Sequence, residues 1–395
     1  MDELKAAVRS ATVIDDHWEM ALQQALAQTR DIVADLVVLF AHNAYAEHFP
    51  ELVRRVRQET GAGVLIGCSG QGIIGTGQEI EDVPALSLLV LSLPGAVLKP
   101  AHFTQQMVET CAHPQAWRDQ LDIPLDDVNA WLVFADPFHM DCERWLDGLA
   151  RAYIDLPMLG GMASGDTEEQ RTYVFLNDEV FDEGAVGLAL GGSYTLLPLV
   201  SQGCEPIGEP WTITGVHDNG LIRTISNRPA YDLLVDTFQC LSLDVQFRAQ
   251  RNLLVGLAAD EYRDSFGRGS FLIRPLLGVD RRQGAIAIGA LPRVGQTIQF
   301  QMRDAATADL DLRELLEQTN ARLGTNRPIA GVLCTCNGRG TSMFGLPHHD
   351  ANIVAEELGD LPLTGLFCNG EIGPVGKRPF LHGFTASLAL LIQRQ

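Results

Sequence analysis

The chain has 395 residues, of which 46% are apolar, so it is long enough to fold into roughly two or three domains with buried cores. Its 50 acidic and 29 basic residues give a formal net charge of −21. A field of that sign repels phosphate backbones and anionic lipid headgroups, so the charge argues against nucleic acid and membrane surfaces as partners.

Cysteine usage and hydropathy indicate the compartment. The eight cysteines are scattered and mostly set in apolar runs, which is typical of reduced, buried thiols rather than of a disulfide framework. Residues 1–20 lack the basic and then apolar layout of a secretion signal. The most apolar stretch, residues 185–200, is interrupted by Gly191 and Gly192 and is too short to span a bilayer. We therefore expect a soluble cytoplasmic protein.

The first part of the chain alternates between helix and strand patterns. Trp18, Leu22 and Leu26 lie at helical spacing, whereas residues 35–41 form the continuous apolar run of a buried strand. In chain order the patterns predict a helix at 16–30, a strand at 35–41, a helix at 44–60, strands at 63–68, 85–93 and 96–103, a helix at 105–121, a strand at 130–135 and a helix at 139–153.

Strand patterns dominate the middle of the chain. Residues 194–201, 211–216 and 221–225 are predicted strands, and Ser226 to Pro229 then resembles a helix cap with Pro in the first turn. The remaining patterns predict strands near 252–258, 270–277, 284–290, 295–302 and 330–335. They also predict a helix that starts at Ala230 and helices at 305–322 and 350–359. Because many strands are linked as hairpins, we expect an α/β (α+β) fold of mixed, largely antiparallel sheets covered by helices on one face.

An internal repeat is indicated by matching landmarks. Residues 157–190 and 362–391 each begin with Pro and a Gly-centred turn, pass a polar–Gly step and end in an apolar strand. Residues 131–134 match residues 331–334, and Leu93-Pro94 matches Leu291-Pro292, at a similar offset of about 200 residues. We therefore predict two related halves. The predicted domains are a helical segment at 1–31, an N-terminal domain at 32–225 and a C-terminal domain at 226–395.

The loop after the strand at 330–335 has the most specific chemical pattern in the sequence. Two glycines flank Arg339, which lets the backbone turn tightly and expose a guanidinium that can grip a carboxylate through two hydrogen bonds. Glu371 follows the neighbouring strand, so the two side chains could hold the carboxylate and the amine of an amino-acid-like ligand. Alternatively, Arg339 pairs with an acidic residue of the protein, Glu371 among them, and the loop is only a turn.

Other clusters leave further hypotheses open. Cys336 and Cys368, with His382 or His348, could form a nucleophile and base, although the C-x-C spacing lacks a second pair for zinc. Glycine-rich strand ends near Ser69 and Ser164 could offer backbone N–H groups to an anionic end group. We predict no catalytic residue, metal or cofactor. The predicted ligand-binding residues are Cys68, Ser69, Ser164, Asn337, Gly338, Arg339, Gly340, Cys368, Asn369, Gly370, Glu371 and His382.

Several of these segments resemble the FIST family, the paired N- and C-terminal FIST domains of bacterial signalling proteins and of one eukaryotic F-box ubiquitin-ligase subunit. The resemblance is carried by residues 66–69 (IGCS), 160–165 (GGMASG), 227–234 (NRPAYDLL), 336–340 (CNGRG) and 370–374 (GEIGP). It implies an intracellular sensory module that binds small ligands, with amino acids as the proposed class. No kinase, cyclase, receiver or F-box segment is recognisable, so we expect signalling through a separate partner.

These observations lead to three functional hypotheses. The first is a sensor for an amino acid or a related small carboxylate, without nucleic acid or membrane as partner. The second is a Cys-dependent enzyme, and the third is a protein-interaction scaffold that binds no ligand.

Overall fold

A computed structural model describes residues 5–250 and 252–394. The chain divides into two compact units, the first made of residues up to Val200 together with those from Arg313 onward, and the second of Ser201–Leu312. Within the described residues, no helix combines the length and the apolar character needed to cross a membrane.

The elements, in chain order, are as follows. The strands are β1 (Ala7–Ile14), β2 (Leu36–His42), β3 (Val64–Gly70), β4 (Gly72–Gly75), β5 (Gln78–Ile80), β6 (Ala85–Ser92), β7 (Ala96–Phe103), β8 (Ala130–Ala135), β9 (Met158–Met162), β10 (Val174–Leu176), β11 (Glu179–Phe181), β12 (Ala185–Gly192), β13 (Tyr194–Ser201), β14 (Glu205–Val216), β15 (Ile222–Ile225), β16 (Arg228–Pro229), β17 (Leu253–Ala258), β18 (Phe271–Asp280), β19 (Ala285–Ile288), β20 (Thr297–Met302), β21 (Ala330–Cys336), β22 (Leu363–Cys368), β23 (Glu371–Val375), β24 (Arg378–His382) and β25 (Ala386–Gln393). The helices are α1 (Trp18–Thr29), α2 (Phe49–Thr60), α3 (Gln105–Thr110), α4 (Pro114–Leu121), α5 (Cys142–Ala152), α6 (Ala230–Gln239), α7 (Leu243–Ala249), α8 (Ala305–Leu323), α9 (Thr341–Phe344) and α10 (His349–Leu358), with 3-10 turns at Asn43–His48 and Leu125–Asp127.

The first unit contains three six-stranded sheets with one shared plan. Their strand orders are β1-β6-β2-β3-β10-β11, β7-β12-β8-β9-β23-β24 and β13-β25-β21-β22-β4-β5. In each sheet the two middle strands are parallel, and a helix connects them: α2, α5 or α10. Each sheet is completed by a hairpin from a different copy, so three β-α-β repeats exchange their hairpins in a cycle.

A glycine at the same register position identifies the three copies independently of strand order. Each glycine on the second parallel strand faces a residue on the first: Gly67 faces Leu39, Gly160 faces Val133, and Gly365 faces Leu333. A Cβ atom on these glycines would lie 1.7, 1.8 and 2.0 Å, respectively, from the carbonyl oxygen of the facing residue. Only glycine leaves room for this close approach between strands.

The prediction of two related halves is therefore wrong in the number of copies, because the first unit contains three. The offset of about 200 residues does relate β8 to β21 and β12 to β25, but a third copy precedes both. The offset is large because the second unit, Ser201–Leu312, is inserted in the last copy, from the end of β13 to a point within α8. The Leu93-Pro94 landmark does not belong to the repeat, because it lies between β6 and β7 of the first unit, whereas Leu291-Pro292 lies between β19 and β20 of the second.

Each sheet of the first unit buries both faces of its parallel strands. The inner faces share one apolar core, in which Phe40 of β2 packs edge-on against Phe134 of β8 with ring centroids 5.1 Å apart. The outer face of the first sheet is covered by α1 and α2, and that of the second by α4 and α5. The expectation of mixed sheets is confirmed, and helices cover the outer faces of the first two.

The second unit is a barrel. Its strands follow the order β14-β20-β17-β18-β19-β15-β16, and an additional pairing of β14 with β15 closes six of them into a ring. Isoleucines and leucines from these strands and from α6 fill the interior. The domain boundary predicted between residues 225 and 226 lies inside this unit, between β15 and β16.

Local departures from the predicted elements have simple causes. Residues 7–14 form strand β1 rather than part of a helical segment, because they pair with β6 along eight residues. The helix predicted at 105–121 is two helices, since His113 is extended before Pro114, which starts α4. Residues 1–4 of the predicted N-terminal segment lie outside the described residues.

Candidate functional site

The carboxyl ends of the parallel strands meet through Ser164, which follows β9. Its hydroxyl donates to the carbonyl of Phe367 at 2.5 Å and accepts the N–H of Gln71 at 2.7 Å. Its carbonyl accepts the hydroxyl of Ser69 at 2.9 Å. One buried side chain thus ties the second copy to the end of β3 in the first copy and to β22 in the third.

Two asparagines extend this network on the third copy. The Asn337 side chain donates to that of Asn369 at 2.8 Å, and Asn369 donates to the carbonyl of Ala163 at 3.2 Å. The N–H of Met162 donates to the carbonyl of Gly370 at 2.8 Å. The structure therefore brings together Ser69, Ser164, Asn337, Asn369 and Gly370, all of which the sequence predicts as site residues. Their role in ligand binding stays a prediction.

A cleft of about 510 Å³ opens at these strand ends. It lies where open α/β sheets commonly bind ligands, beyond the carboxyl ends of parallel strands. Its lining comes from all three sheets and from the loop after β5: His42, Asn43, Ala44, Gln71, Gly72, Glu81, Asp82, Gly165, Asn337 and Phe367. Of the residues predicted from the sequence as ligand-binding, Asn337 lines the cleft directly.

The charged side chains of the cleft lining are acidic. Glu81 uses Oε1 to accept both the N–H of Thr341, at 2.9 Å, and its hydroxyl, at 2.7 Å. Asp82 is exposed, and its carboxylate has no hydrogen bond or ion pair within the described residues. Burial lowers the pKa of His42, opposed by a hydrogen bond to the backbone of Gln71 and by Asp82. Its Nδ1 also accepts the N–H of Ala44 at 3.1 Å, which requires that this nitrogen carry no proton.

Arg339 is buried rather than exposed, which corrects the sequence prediction. Its guanidinium forms two bonds to Asp350, from Nε to Oδ2 at 2.6 Å and from Nη2 to Oδ1 at 2.8 Å. Both side chains are almost fully buried, at 0% and 1% exposure, and the guanidinium lies 5.2 Å from the ring centroid of Phe344. The two guanidinium donors that were predicted to bind a ligand carboxylate thus bind the carboxylate of Asp350.

The same polar cluster anchors the segment from Arg339 to Ala351 on the hairpin β4–β5. Glu79 of β5 accepts the N–H of Ala351 at 3.0 Å, and its own N–H lies 2.9 Å from Nδ1 of His348. Burial, followed by the charge of Asp350, raises the pKa of Glu79. For Asp350 itself burial also acts to raise the pKa, but the Arg339 guanidinium and His349 together outweigh burial and hold the pKa below its ordinary value.

Glu371 and His382 are internal as well. Glu371 is buried and accepts both the N–H of Thr385, at 2.9 Å, and its hydroxyl, at 2.6 Å, while the Cys368 thiol lies 3.3 Å from its other oxygen. His382 Nε2 lies 3.0 Å from the carbonyl of Gly373. Both residues therefore have partners within the protein, and neither lines the cleft.

Three cysteines are set in the core, one of them the candidate nucleophile Cys368, whereas the other candidate nucleophile, Cys336, is partly exposed. Cys68, Cys334 and Cys368 are fully buried, and burial raises the pKa of all three thiols. A thiol with a raised pKa is a poor nucleophile at neutral pH, which argues against the Cys-dependent hypothesis for these three. Within residues 5–250 and 252–394, no three His, Cys, Asp or Glu side chains are grouped as a metal site.

Most of the cleft lining was missed from the sequence. His42 ends β2 and Asn43 follows it, and Gln71 follows β3, at the positions equivalent to those already chosen in the other copies. Recognition of the first copy would have found them. Glu81 and Asp82 carry no comparable signal, because they lie in a loop that the hairpin exchange brings to another sheet.

Comparison with known proteins identifies the family. A model of the FIST N domain matches residues 35–228, and a model of the FIST C domain matches residues 230–374. The chain belongs to the FIST family. This FIST protein is 37% identical over 376 residues to the uncharacterized protein Rv0628c of Mycobacterium tuberculosis, covering 94% of this chain and 96% of the relative.

Other proteins are similar to this chain over all or part of its length. The uncharacterized protein Mb0898c of Mycobacterium bovis is 37% identical over 379 residues, covering 94% of this chain and 95% of the relative. An F-box/LRR-repeat protein of Arabidopsis thaliana is 32% identical over 94 residues, 23% of this chain and 18% of the relative. Among solved structures, a cyanuric acid hydrolase from A. caulinodans aligns over 99% of this chain and 100% of that chain, with a TM-score of 0.40 and 10% identity.

Proposed function

We propose that this FIST protein is a sensory protein that binds an amino acid or a related small molecule and signals through a separate partner. The observation that carries the proposal is the cleft at the carboxyl ends of the parallel strands. Its volume of about 510 Å³ falls within the range of small-molecule sites, and its lining combines one aromatic ring with convergent polar groups.

The cleft replaces the pocket predicted around Arg339 and Glu371. Both of those side chains are buried with partners in the protein, whereas Gln71 and Asn337 lie at the cleft surface. Gly165 permits the lining to close in, because a Cβ there would lie 3.0 Å from Oδ1 of Asn43 and 2.6 Å from the carbonyl of Arg171. The proposal therefore assigns ligand binding to residues at the strand ends, such as Gln71 and Asn337, and no longer to Arg339.

One contact offers a route from the cleft to a signalling surface. Glu81 lines the cleft and holds Thr341 at the start of α9, so a ligand that engages Glu81 also acts on the segment that follows. That segment carries Leu346, whose side chain is 64% exposed. A change in its position is a signal that a partner could read.

A binding screen with a matched pair of variants tests the proposal. The purified protein would be titrated with the twenty common amino acids and with small amines, by thermal shift and then by calorimetry. Ala44→Phe places a ring in the cleft, whereas Ala112→Phe places the same ring on another exposed alanine outside it. We expect a ligand-induced shift in the wild-type protein and in Ala112→Phe that is lost in Ala44→Phe. No shift with any compound, or an equal shift in both variants, would refute the cleft as the sensory site.

A further inference from the structure

We infer that the cleft recognises its ligand through an amino group, so that small aliphatic amines bind there without the carboxylate of an amino acid. This inference rests on the proposed function and narrows its ligand class. It reverses the emphasis of the sequence hypothesis, in which an arginine was to capture a carboxylate.

The first argument is the charge of the lining. Of the described residues that line the cleft, two are acidic and none is Lys or Arg, while Nδ1 of His42 accepts the N–H of Ala44, as only an imidazole without a proton on that nitrogen can. A ligand carboxylate would therefore face two negative side chains without a cation to offset them. The net charge of −21 adds to the repulsion of anions and attracts cations from solution.

The second argument is the supply of unused acceptors. Oε2 of Glu81 and the whole carboxylate of Asp82 have no hydrogen-bond partner within the described residues, whereas Glu51 and Glu59 of α2 are paired with arginines of the same helix. Oδ1 of Asn43 is buried and likewise has no donor within the described part of the chain. An ammonium group carries three N–H donors and no acceptor, and it is the group that complements several oxygen acceptors.

The third argument is that Glu81 is already fixed in place. Thr341 donates two hydrogen bonds to one carboxylate oxygen of Glu81 and so restricts the side chain before a ligand arrives. Binding of a ligand to the other oxygen therefore costs less conformational entropy than binding to a mobile glutamate. A Cβ on Gly340 would lie 2.6 to 2.9 Å from the Glu81 carboxyl group, so only glycine lets that carboxylate lie against the loop.

The experiment compares three small compounds that differ in their charged groups, two with four carbons (putrescine and succinate) and one with five (ornithine). Putrescine carries two amino groups and no carboxylate, ornithine carries both kinds of group, and succinate carries two carboxylates. Calorimetry at low and at physiological salt would measure the dissociation constants. We expect putrescine and ornithine to bind and succinate not to bind, with amine affinity falling as salt rises.

Matched substitutions localise the effect. Glu81→Gln and Asp82→Asn keep the side-chain shapes and remove one charge each, and asparagine tolerates the left-handed backbone of Asp82 (φ +60°). We expect each to weaken putrescine binding by about fivefold. Asp126→Asn removes an exposed charge outside the cleft and should leave binding unchanged.

The outcomes separate this inference from the proposed function. If ornithine binds and putrescine does not, the carboxylate is the recognised group, and the inference is overturned while the sensory role stands. If amines bind equally well to the cleft variants and to Asp126→Asn, the binding is a general effect of net charge, and the inference also fails. If neither the amines nor any amino acid binds, the proposed function fails with it.

Discussion

Replacement of Arg339 by methionine gives the sharpest test of how the site is built. The side chain is fully buried and binds Asp350 through two bonds of 2.6 and 2.8 Å. Methionine keeps much of the stem volume and removes the charge. Asp350 would then be left buried without its guanidinium, while it keeps the hydroxyl of Thr335 at 3.2 Å and Nδ1 of His349 at 2.9 Å.

The magnitude follows from that burial. Removing one partner of a buried, hydrogen-bonded ion pair costs about 3–5 kcal/mol, because the remaining charge stays in a medium of low dielectric. Asp350→Asn alone leaves the arginine uncompensated and should cost a similar amount. The double variant leaves no buried charge, so its loss should be smaller than the sum of the single losses by about 2 kcal/mol or more.

Urea unfolding monitored by tryptophan fluorescence measures these changes, and the pH dependence provides a second readout. Because the pKa of Asp350 is held below its ordinary value, the contribution of the ion pair is present above about pH 3.9 and is lost as the pH falls through the folded-state value. The reasoning would be refuted if Arg339→Met changed the free energy of unfolding by less than about 1 kcal/mol while abolishing ligand binding. That result would restore Arg339 as a ligand-binding residue.

Three further predictions concern the repeat, the buried acid and the thiols. Gly365→Ala should destabilise the protein by at least about 1–3 kcal/mol in urea unfolding, since its Cβ would lie 2.0 Å from the carbonyl of Leu333; an unchanged midpoint would contradict the register. Burial and the charge of Asp350 raise the pKa of Glu79 to about 8, so the unfolded state loses this proton first and stability falls as the pH rises from 4.5 to 8. Glu79→Gln should flatten that decline, and an equally steep slope would argue against a buried acid. Iodoacetamide should label the exposed Cys240 quickly and the buried Cys368 only on unfolding, as mass spectrometry of timed samples would show.

The sequence predicts where strands end better than it predicts which side chains interact there. Residues 130–135 and 194–201 match β8 and β13, because short apolar runs bounded by turn residues indicate buried strands. The polar–Gly steps at Ser164 and Asn369 were aligned correctly for the same reason. The partner of Arg339 was not predicted, since Asp350 follows it by 11 positions across a loop whose path no local pattern specifies.

The number of repeats was misjudged because an insertion distorts the spacing. The first two copies lie close together in the chain, whereas the second unit separates the strands of the last copy. A search at one constant offset therefore finds only one pair of copies. The glycine that faces Leu39, Val133 or Leu333 was present in each copy, but its meaning depends on a strand register that becomes visible only in three dimensions.

The three copies share their backbone plan and differ in the side chains at equivalent strand ends, and this difference explains why the cleft lies where it does. Four positions after the register glycine, the copies carry Gln71, Ser164 and Asn369, each followed by glycine. Ser164 is short and turns inward to bind the other two strand ends, so its copy closes the bottom of the site. Gln71 is longer and stays exposed, where its amide donates to the carbonyl of Gly165 and shapes the wall. A fold built by repetition thus supplies three equivalent strand ends, and divergence at a single position makes Ser164 a buried link between the copies and leaves Gln71 in the lining of the cleft.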